Sequence, residues 1–182
     1  MAPIRQSCPV RTIYQTCLVA LSVLVAGCGG KNQTPTSPVA SVDPQEPVAA
    51  QPRLQTLSLW IGTRELSTEV AMSQKEIRTG MMFRTNIAEN EGMLFVLGVP
   101  QKTGFWMKNT RVPLSVAYID PVGVILEIHD LQPFDTNTVI AESSNIQYAL
   151  ETAQGWFTRN GVGVGTAIAT DRGPLSYVFT GR

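Results

Sequence analysis

The segment Leu114-Ser115-Val116-Ala117-Tyr118-Ile119-Asp120-Pro121-Val122-Gly123-Val124-Ile125-Leu126-Glu127-Ile128-His129-Asp130-Leu131 decides the fold class of this 182-residue chain. Two runs rich in β-branched and aromatic residues flank Asp120-Pro121-Val122-Gly123, where proline presets one turn dihedral and glycine accepts another. The reading is an antiparallel hairpin, Leu114 to Ile119 into Val124 to Leu131. On its N-terminal side, Leu57, Leu59 and Ile61 alternate with Ser58 and Trp60 ahead of a Gly62-Thr63-Arg64 turn. Glu65 to Ala71 then returns as the second arm of another hairpin. Ser73-Gln74-Lys75-Glu76 is a capping box, and Ile77, Met81 and Met82 recur at near-helical spacing, so a short helix is expected from Ser73 to about Met82. Gly92 to Leu97 and Gly104 to Lys108 read as strands. Asp135 to Asn145 has no firm period and reads as a long loop, and Ile146 to Thr152 as a strand. Gln154 to Asn160 is a single helical piece closed by Gly161. Thr166 to Ala169 and Ser176 to Thr180 finish as strands. The sum is a mainly β domain, a compact sandwich or barrel with one or two short helices.

Immediately before the hairpin stands Gly104-Phe105-Trp106-Met107-Lys108-Asn109-Thr110-Arg111-Val112-Pro113-Leu114. On an extended segment Phe105 and Met107 share one face while Trp106 and Lys108 share the other. Two arrangements fit. In one, Phe105 and Met107 are core and the Lys108 stem covers the Trp106 ring. In the other, Trp106, Lys108 and Asn109 line a pocket for a polar or anionic ligand, with Asn109 supplying both a donor and an acceptor.

The N-terminus is of a different character. Arg5 and Arg11 precede an apolar run from Cys17 to Ala26 that closes in Val25-Ala26-Gly27-Cys28. A basic region, a short apolar run and small residues make a secretory signal over 1–27, and the run is short of the roughly 20 residues a spanning helix needs. Small residues ahead of Cys28 resemble the lipobox of bacterial lipoproteins, which implies that Cys28 becomes the acylated first residue. Gly29, rather than Asp, follows it, which by the same resemblance implies an outer-membrane address where the organism has such a membrane. With Cys8 and Cys17 removed and Cys28 acylated, the mature chain keeps no thiol for a disulfide, a nucleophile or a metal. Residues 28–52 then form a lipidated, proline-rich tether with Pro35, Pro38, Pro44, Pro47 and Pro52 and no aromatic; such a composition cannot bury enough to fold. From 53 to 182 the chain has the size of one β domain. Loss of Arg5 and Arg11 leaves 12 basic residues against 14 acidic, a balance unsuited to a nucleic-acid surface.

Several chemistries are excluded by inventory. His129 is the only histidine, so a two-histidine metal site or a zinc-protease helix is impossible within one chain. No Gly-x-Ser-x-Gly elbow exists. Gly161-Val162-Gly163-Val164-Gly165 has the wrong spacing for a phosphate loop and no lysine follows, so no cofactor is expected. Met81, Met82, Met93 and Met107 read as adaptable core rather than a copper site.

Four blocks carry a resemblance: Gly80-Met81-Met82-Phe83-Arg84, Glu91-Gly92-Met93-Leu94-Phe95-Val96, Phe105-Trp106-Met107-Lys108-Asn109-Thr110 with Val112-Pro113-Leu114, and Tyr148-Ala149-Leu150-Glu151 with Gly155. Together they resemble the domain of unknown function 192 family over about 57–169. The resemblance implies a compact, jelly-roll-like β domain of secreted or lipid-anchored bacterial proteins, and no activity. The family pattern has Asp after the Pro-Leu pair, where Ser115 stands here.

Polar residues within these blocks are the candidates: Arg84, Lys108, Asn109 and Glu151, with Trp106. Arg84 is expected to close the helix as a cation at its negative end. Glu151, among Ala149, Leu150 and Thr152, is expected to form a structural ion pair with Arg84 or Lys108. The leading functional expectation is a lipid-anchored envelope domain that binds a small polar or glycan-like ligand. The alternatives are a structural module that pairs with another envelope protein, and a hydrolase in which Glu151 works with Asp120, Glu127 or Asp130.

Overall fold

The computed structural model of the chain describes residues 46–179. The expected signal segment, Cys28, the expected tether as far as residue 45 and the last three residues lie outside the described part. Both expected hairpins form. The first is β1 (Thr56–Ile61) with β2 (Arg64–Ala71), and the second is β5 (Leu114–Ile119) with β6 (Ile125–Leu131). Between them, α1 (Gln74–Thr79) starts at the expected box: Ser73 Oγ accepts from Glu76 N–H, and the Glu76 carboxylate accepts from Ser73 N–H at 2.8 Å. The helix stops at Gly80, whose φ of 46° is open to glycine, and a Cβ there would meet the Phe95 ring at 3.3 Å. β3 (Glu91–Gln101) runs four residues past its expected end, with a register irregularity between Val96 and Gln101.

Strand β4 is only Gly104–Phe105. The expected extension to Lys108 fails because the Met107 N–H is drawn to Asp135 O at 2.7 Å and the chain turns there. The stretch expected to be loop contains β7 (Val139–Ile140), which pairs with β4. β8 (Ile146–Ala153) and α2 (Trp156–Arg159) follow the expectation, and β9 (Ile168–Thr170) starts two residues late. After β10 (Gly173–Pro174), the segment expected to end as a strand is instead α3 (Leu175–Phe179). Leu175, fully buried, anchors it against the core, so three short helices are present among the described residues where one or two are expected.

Eight of the ten described strands form one sheet in the order β10-β9-β1-β2-β3-β8-β5-β6, with β2 and β3 parallel and the other pairs antiparallel. The sheet curls until the start of β6 meets the start of β9. Val124 bridges Ala167, Ile125 N–H donates to Thr166 O, and Ile168 N–H donates to Gly123 O. Closure of this kind leaves few free edge groups. Its inner face gathers Leu57, Leu59, Ile61, Leu66, Leu94, Ala117, Ile119, Ile125, Tyr148, Leu150 and Ile168, plugged by Trp156, Phe157 and Leu175 from the helices.

A second core lies on the outer face of β2, β3, β8, β5 and β6. Met81, Met93, Phe95, Met107, Leu114, Val116 and Tyr118 are buried there beneath α1 and the β4–β7 ribbon, so the methionines are core as expected. Being covered on both sides explains why all of β5 is buried and why β8 shows no alternation.

The folded part begins before Arg53, since Gln51 Nε2 donates to Glu76 O at 3.2 Å and Gly80 O at 3.0 Å. Tight packing at the centre generates a prediction. A Cβ on Gly92 would stand 2.8 Å from the backbone oxygen of Glu151 and 3.0 Å from Leu66 Cδ2. Gly92→Ala is therefore expected to destabilise the domain by about 1–3 kcal/mol in urea unfolding, through overpacking between β3 and β8.

Candidate functional site

Residues paired across adjacent strands share a face. On the outer face this places Glu69, Met93, Glu151, Val116 and His129 in one row across β2, β3, β8, β5 and β6. Two of the five are buried carboxyl groups, and they have opposite fates.

Glu69 is 3% exposed and fully partnered. Arg84 Nη1 and Nη2 donate to its two oxygens at 2.8 Å each, Leu54 N–H donates at 2.8 Å and Arg53 Nη1 at 2.8 Å. Burial by itself would raise its pKa; the Arg84 fork, the Leu54 N–H and Arg53 outweigh that and hold it below the usual carboxylate range. This corrects the expectation for Arg84: it lies five residues beyond α1 and grips β2 instead of closing the helix, and its partner is Glu69, not Glu151. Glu69 itself was not singled out in the sequence. Its signal was a lone carboxylate between Thr68 and Val70-Ala71, in a strand covered on both faces.

Glu151 is also 3% exposed, and no hydrogen bond or cation reaches its carboxyl group among the described residues. Lys108, the other expected partner, pairs with Glu46. Burial alone pushes the Glu151 pKa up to about 8, so the group is predominantly a neutral carboxylic acid at pH 7, with a proton to donate. It faces a void of about 30 Å³ whose other walls include Thr79, Met81, Met82, Phe95, Phe105, Trp106 and Thr110. That volume admits one water-sized group. Phe95 and Phe105 meet edge to face at 4.8 Å, and Trp106, 43% exposed, lines the void and reaches solvent. Burial, and then the Glu151 and Glu127 carboxyl groups, raise the pKa of Tyr118 nearby.

The loop over the void is strained. Asn109 (φ 58°), Phe83 (φ 62°) and Phe134 (φ 63°) all adopt the left-handed conformation, which costs a non-glycine residue on the order of 1–3 kcal/mol. They belong to one junction: Phe83 N–H donates to Asn109 O at 2.8 Å, and Phe134 N–H to Thr110 O at 3.1 Å. Asn109 thus serves the junction through its backbone. Lys108 Nζ lies 5.5 Å from the Trp106 ring centroid, the covered-ring arrangement. Of the five candidate residues, then, Trp106 and Glu151 meet at the void, while Arg84, Lys108 and Asn109 do not line it.

The carboxylates considered as acid or base partners are engaged elsewhere. Asp120 accepts from Val122 and Val124 N–H, Glu127 from Glu142 and Ser143 N–H and His129, and Asp130 from Ser115. Ser115 Oγ also accepts from Gly155 N–H at 2.8 Å. Ser115, where the family resemblance implies an Asp, therefore points to the inner face and ties β5 to the start of α2, with a carboxylate supplied from the paired position on β6.

Fold and site define a class: a small barrel-like β domain whose polar chemistry is gathered beneath loops on one outer face. The chain belongs to the DUF192 family, described as uncharacterized ACR, whose model matches residues 58–170. Among solved structures it is similar to a protein of Sinorhizobium meliloti 1021 described as a candidate transcription regulator, with 26% identity over 66% of this chain and 98% of that one and a TM-score of 0.63. It is likewise similar to a protein of unknown function from Novosphingobium aromaticivorans DSM 12444, with 26% identity over 70% and 97% and a TM-score of 0.60. No curated protein matches the chain.

A folded-state pKa above the unfolded value contributes stability that is full below the ordinary carboxyl range and is lost as pH rises toward about 8. Glu151 should make unfolding free energy fall between pH 5 and 8, with a slope approaching about 1.4 kcal/mol per unit. Glu151→Gln, which cannot ionise, is expected to flatten that slope in urea unfolding measured across the range.

Proposed function

We propose that this protein is a lipid-anchored envelope domain that binds a small polar, glycan-like ligand at the void between Glu151 and Trp106. The observation that carries the reading is Glu151 itself, a buried carboxyl without a cation, facing a void lined by an aromatic ring that reaches solvent. Leaving such a group unpaired costs stability that packing alone would remove. A protonated carboxyl is a directional donor toward a hydroxyl or carbonyl oxygen, and the void takes one such group. The exposed Trp106 ring offers a flat apolar surface for the rest of a sugar. Aromatic stacking beside a few convergent polar groups is the usual make-up of small-molecule sites. The attachment reading rests on the sequence ending in Cys28. The two relatives, one described as a candidate regulator and the other as of unknown function, share the fold without naming a ligand.

Two measurements test the proposal. Cys28→Ser is expected to move the protein from the membrane fraction to the soluble fraction of the envelope; unchanged membrane recovery rejects the anchor. For the site, melting temperatures are recorded with cell-wall sugars and their fragments. A ligand at 100 times its dissociation constant should stabilise by about 2.7 kcal/mol. Trp106→Ala and Glu151→Ala should abolish the shift, and Glu151→Gln, which keeps a donor, should retain part of it. Equal shifts in all variants would place binding elsewhere.

A further inference from the structure

The β4–β7 ribbon, with the residues that continue it, carries a solvent-facing side, on which Trp106 also lines the void while Phe134 and Ile140 do not. Its two segments run side by side: Ala141 N–H donates to Thr103 O, Gly104 pairs with Ile140, Phe105 with Val139, and Met107 N–H donates to Asp135 O. Phe105, Val139 and Met107 are packed inward. Alternation sends the others outward, and Trp106 (43%), Ile140 (58%) and Phe134 (63%) are all exposed. Phe134 stands there in a left-handed conformation that disfavours any bulky residue. Isolated exposed apolar side chains are ordinary; three on one short ribbon are not.

Charge points to the occupant. Residues 102–111 carry Lys102, Lys108 and Arg111 and no acid. Lys108 is paired with Glu46, which leaves Lys102 and Arg111 as the cations offered to a partner. Residues 134–140 carry only Asp135, which accepts from Asn137 N–H at 2.9 Å. Large aromatics among cations are the composition of the water–bilayer interface, where amphipathic rings sit at headgroup level and cations meet anionic lipids. The path of the chain agrees. Glu46, the first described residue, pairs with Lys108 beside Trp106, so the chain coming from Cys28 reaches the domain on this ribbon. Seventeen residues separate Cys28 from Glu46, a reach of at most about 50 Å if extended.

We infer that the outer face of the β4–β7 ribbon docks on an anionic lipid surface, with Trp106, Phe134 and Ile140 at headgroup depth. The domain then lies on the membrane instead of ranging over the length of its tether. The inference rests on the membrane attachment proposed above, and flotation checks that first. Full-length protein is reconstituted into vesicles of equal parts phosphatidylglycerol and phosphatidylcholine, with and without bromine on the acyl chains, and tryptophan emission is compared. Trp156 is buried, so the emitters that can respond are Trp106 and Trp60. Brominated chains are expected to quench emission, Trp106→Phe to remove most of that quenching and Trp60→Phe to leave it. Phe134→Asp combined with Ile140→Asp should halve it or more while the protein still floats and melts as before. These two residues do not line the void, so ligand-induced melting shifts should survive the double change, which separates this idea from the binding site. Emission unaffected by bromine in floating protein, or quenching that follows Trp60, overturns the docking; protein that does not float overturns attachment and docking together.

Discussion

Arg84 has one guanidinium, and two carboxyl groups compete for such a partner on the same face of the sheet. Glu69 and Glu151 stand in one row with only Met93 between them, roughly 10 Å apart at two strand spacings. The fork closes on Glu69, with both Nη atoms at 2.8 Å. A bidentate pair fixes orientation as well as charge. It clamps the segment after α1 onto β2, and with Arg53 and Leu54 N–H it also ties down the chain leading into β1. Met81 and Met82, just ahead of Arg84, are thereby held against the outer core. The fit has a cost, since Arg84 Nε is buried without a hydrogen-bond partner.

What remains for Glu151 follows from that choice. Without a cation, a buried carboxyl relaxes by keeping its proton, and burial alone accounts for the direction of its pKa. One row of the sheet thus carries a charged acid and a neutral one, distinguished by environment alone. Mechanical strain accumulates in the same neighbourhood. Phe83, Asn109 and Phe134, all left-handed, join the segment after α1, the loop after β4 and the approach to β7. The deep burial of Met107 and the edge-to-face contact of Phe95 with Phe105 lie beneath this junction and offset its strain.

The barrel-like closure supplies the rigid support. Inward-facing residues come from every strand of the ring, while the outer face is covered over five strands, β2, β3, β8, β5 and β6, where loops could be elaborated. Ser115 illustrates the division. Its position on the inner face removes it from the outer pocket, and its hydroxyl bridges Asp130 and Gly155 N–H in a structural tie between β5, β6 and α2. The Ser115 hydroxyl and the Asp130 carboxylate thus meet on the inner face, apart from the outer void.

The sequence by itself determined what depends on near neighbours. The hairpins at Gly62-Thr63-Arg64 and Asp120-Pro121-Val122-Gly123, the capping box at Ser73 and Glu76, the inward Phe105 and Met107, and the mainly β class were all legible from alternation, turn chemistry and cap spacing. Elements set by distant partners were not. β7 exists because β4 lies beside it, β4 ends where Asp135 captures the Met107 N–H, and α3 forms where Leu175 finds the core, although Ser176-Tyr177-Val178-Phe179 favours a strand locally. The site divides in the same way. Glu151 and Trp106 could be picked out as polar and aromatic residues in distinctive blocks, but no spacing along the chain shows that Arg84 belongs to Glu69. Only the pairing of β2, β3 and β8 places the two carboxyl groups in one row, where Arg84 and Arg53 both close on Glu69 and none of the described cations reaches Glu151.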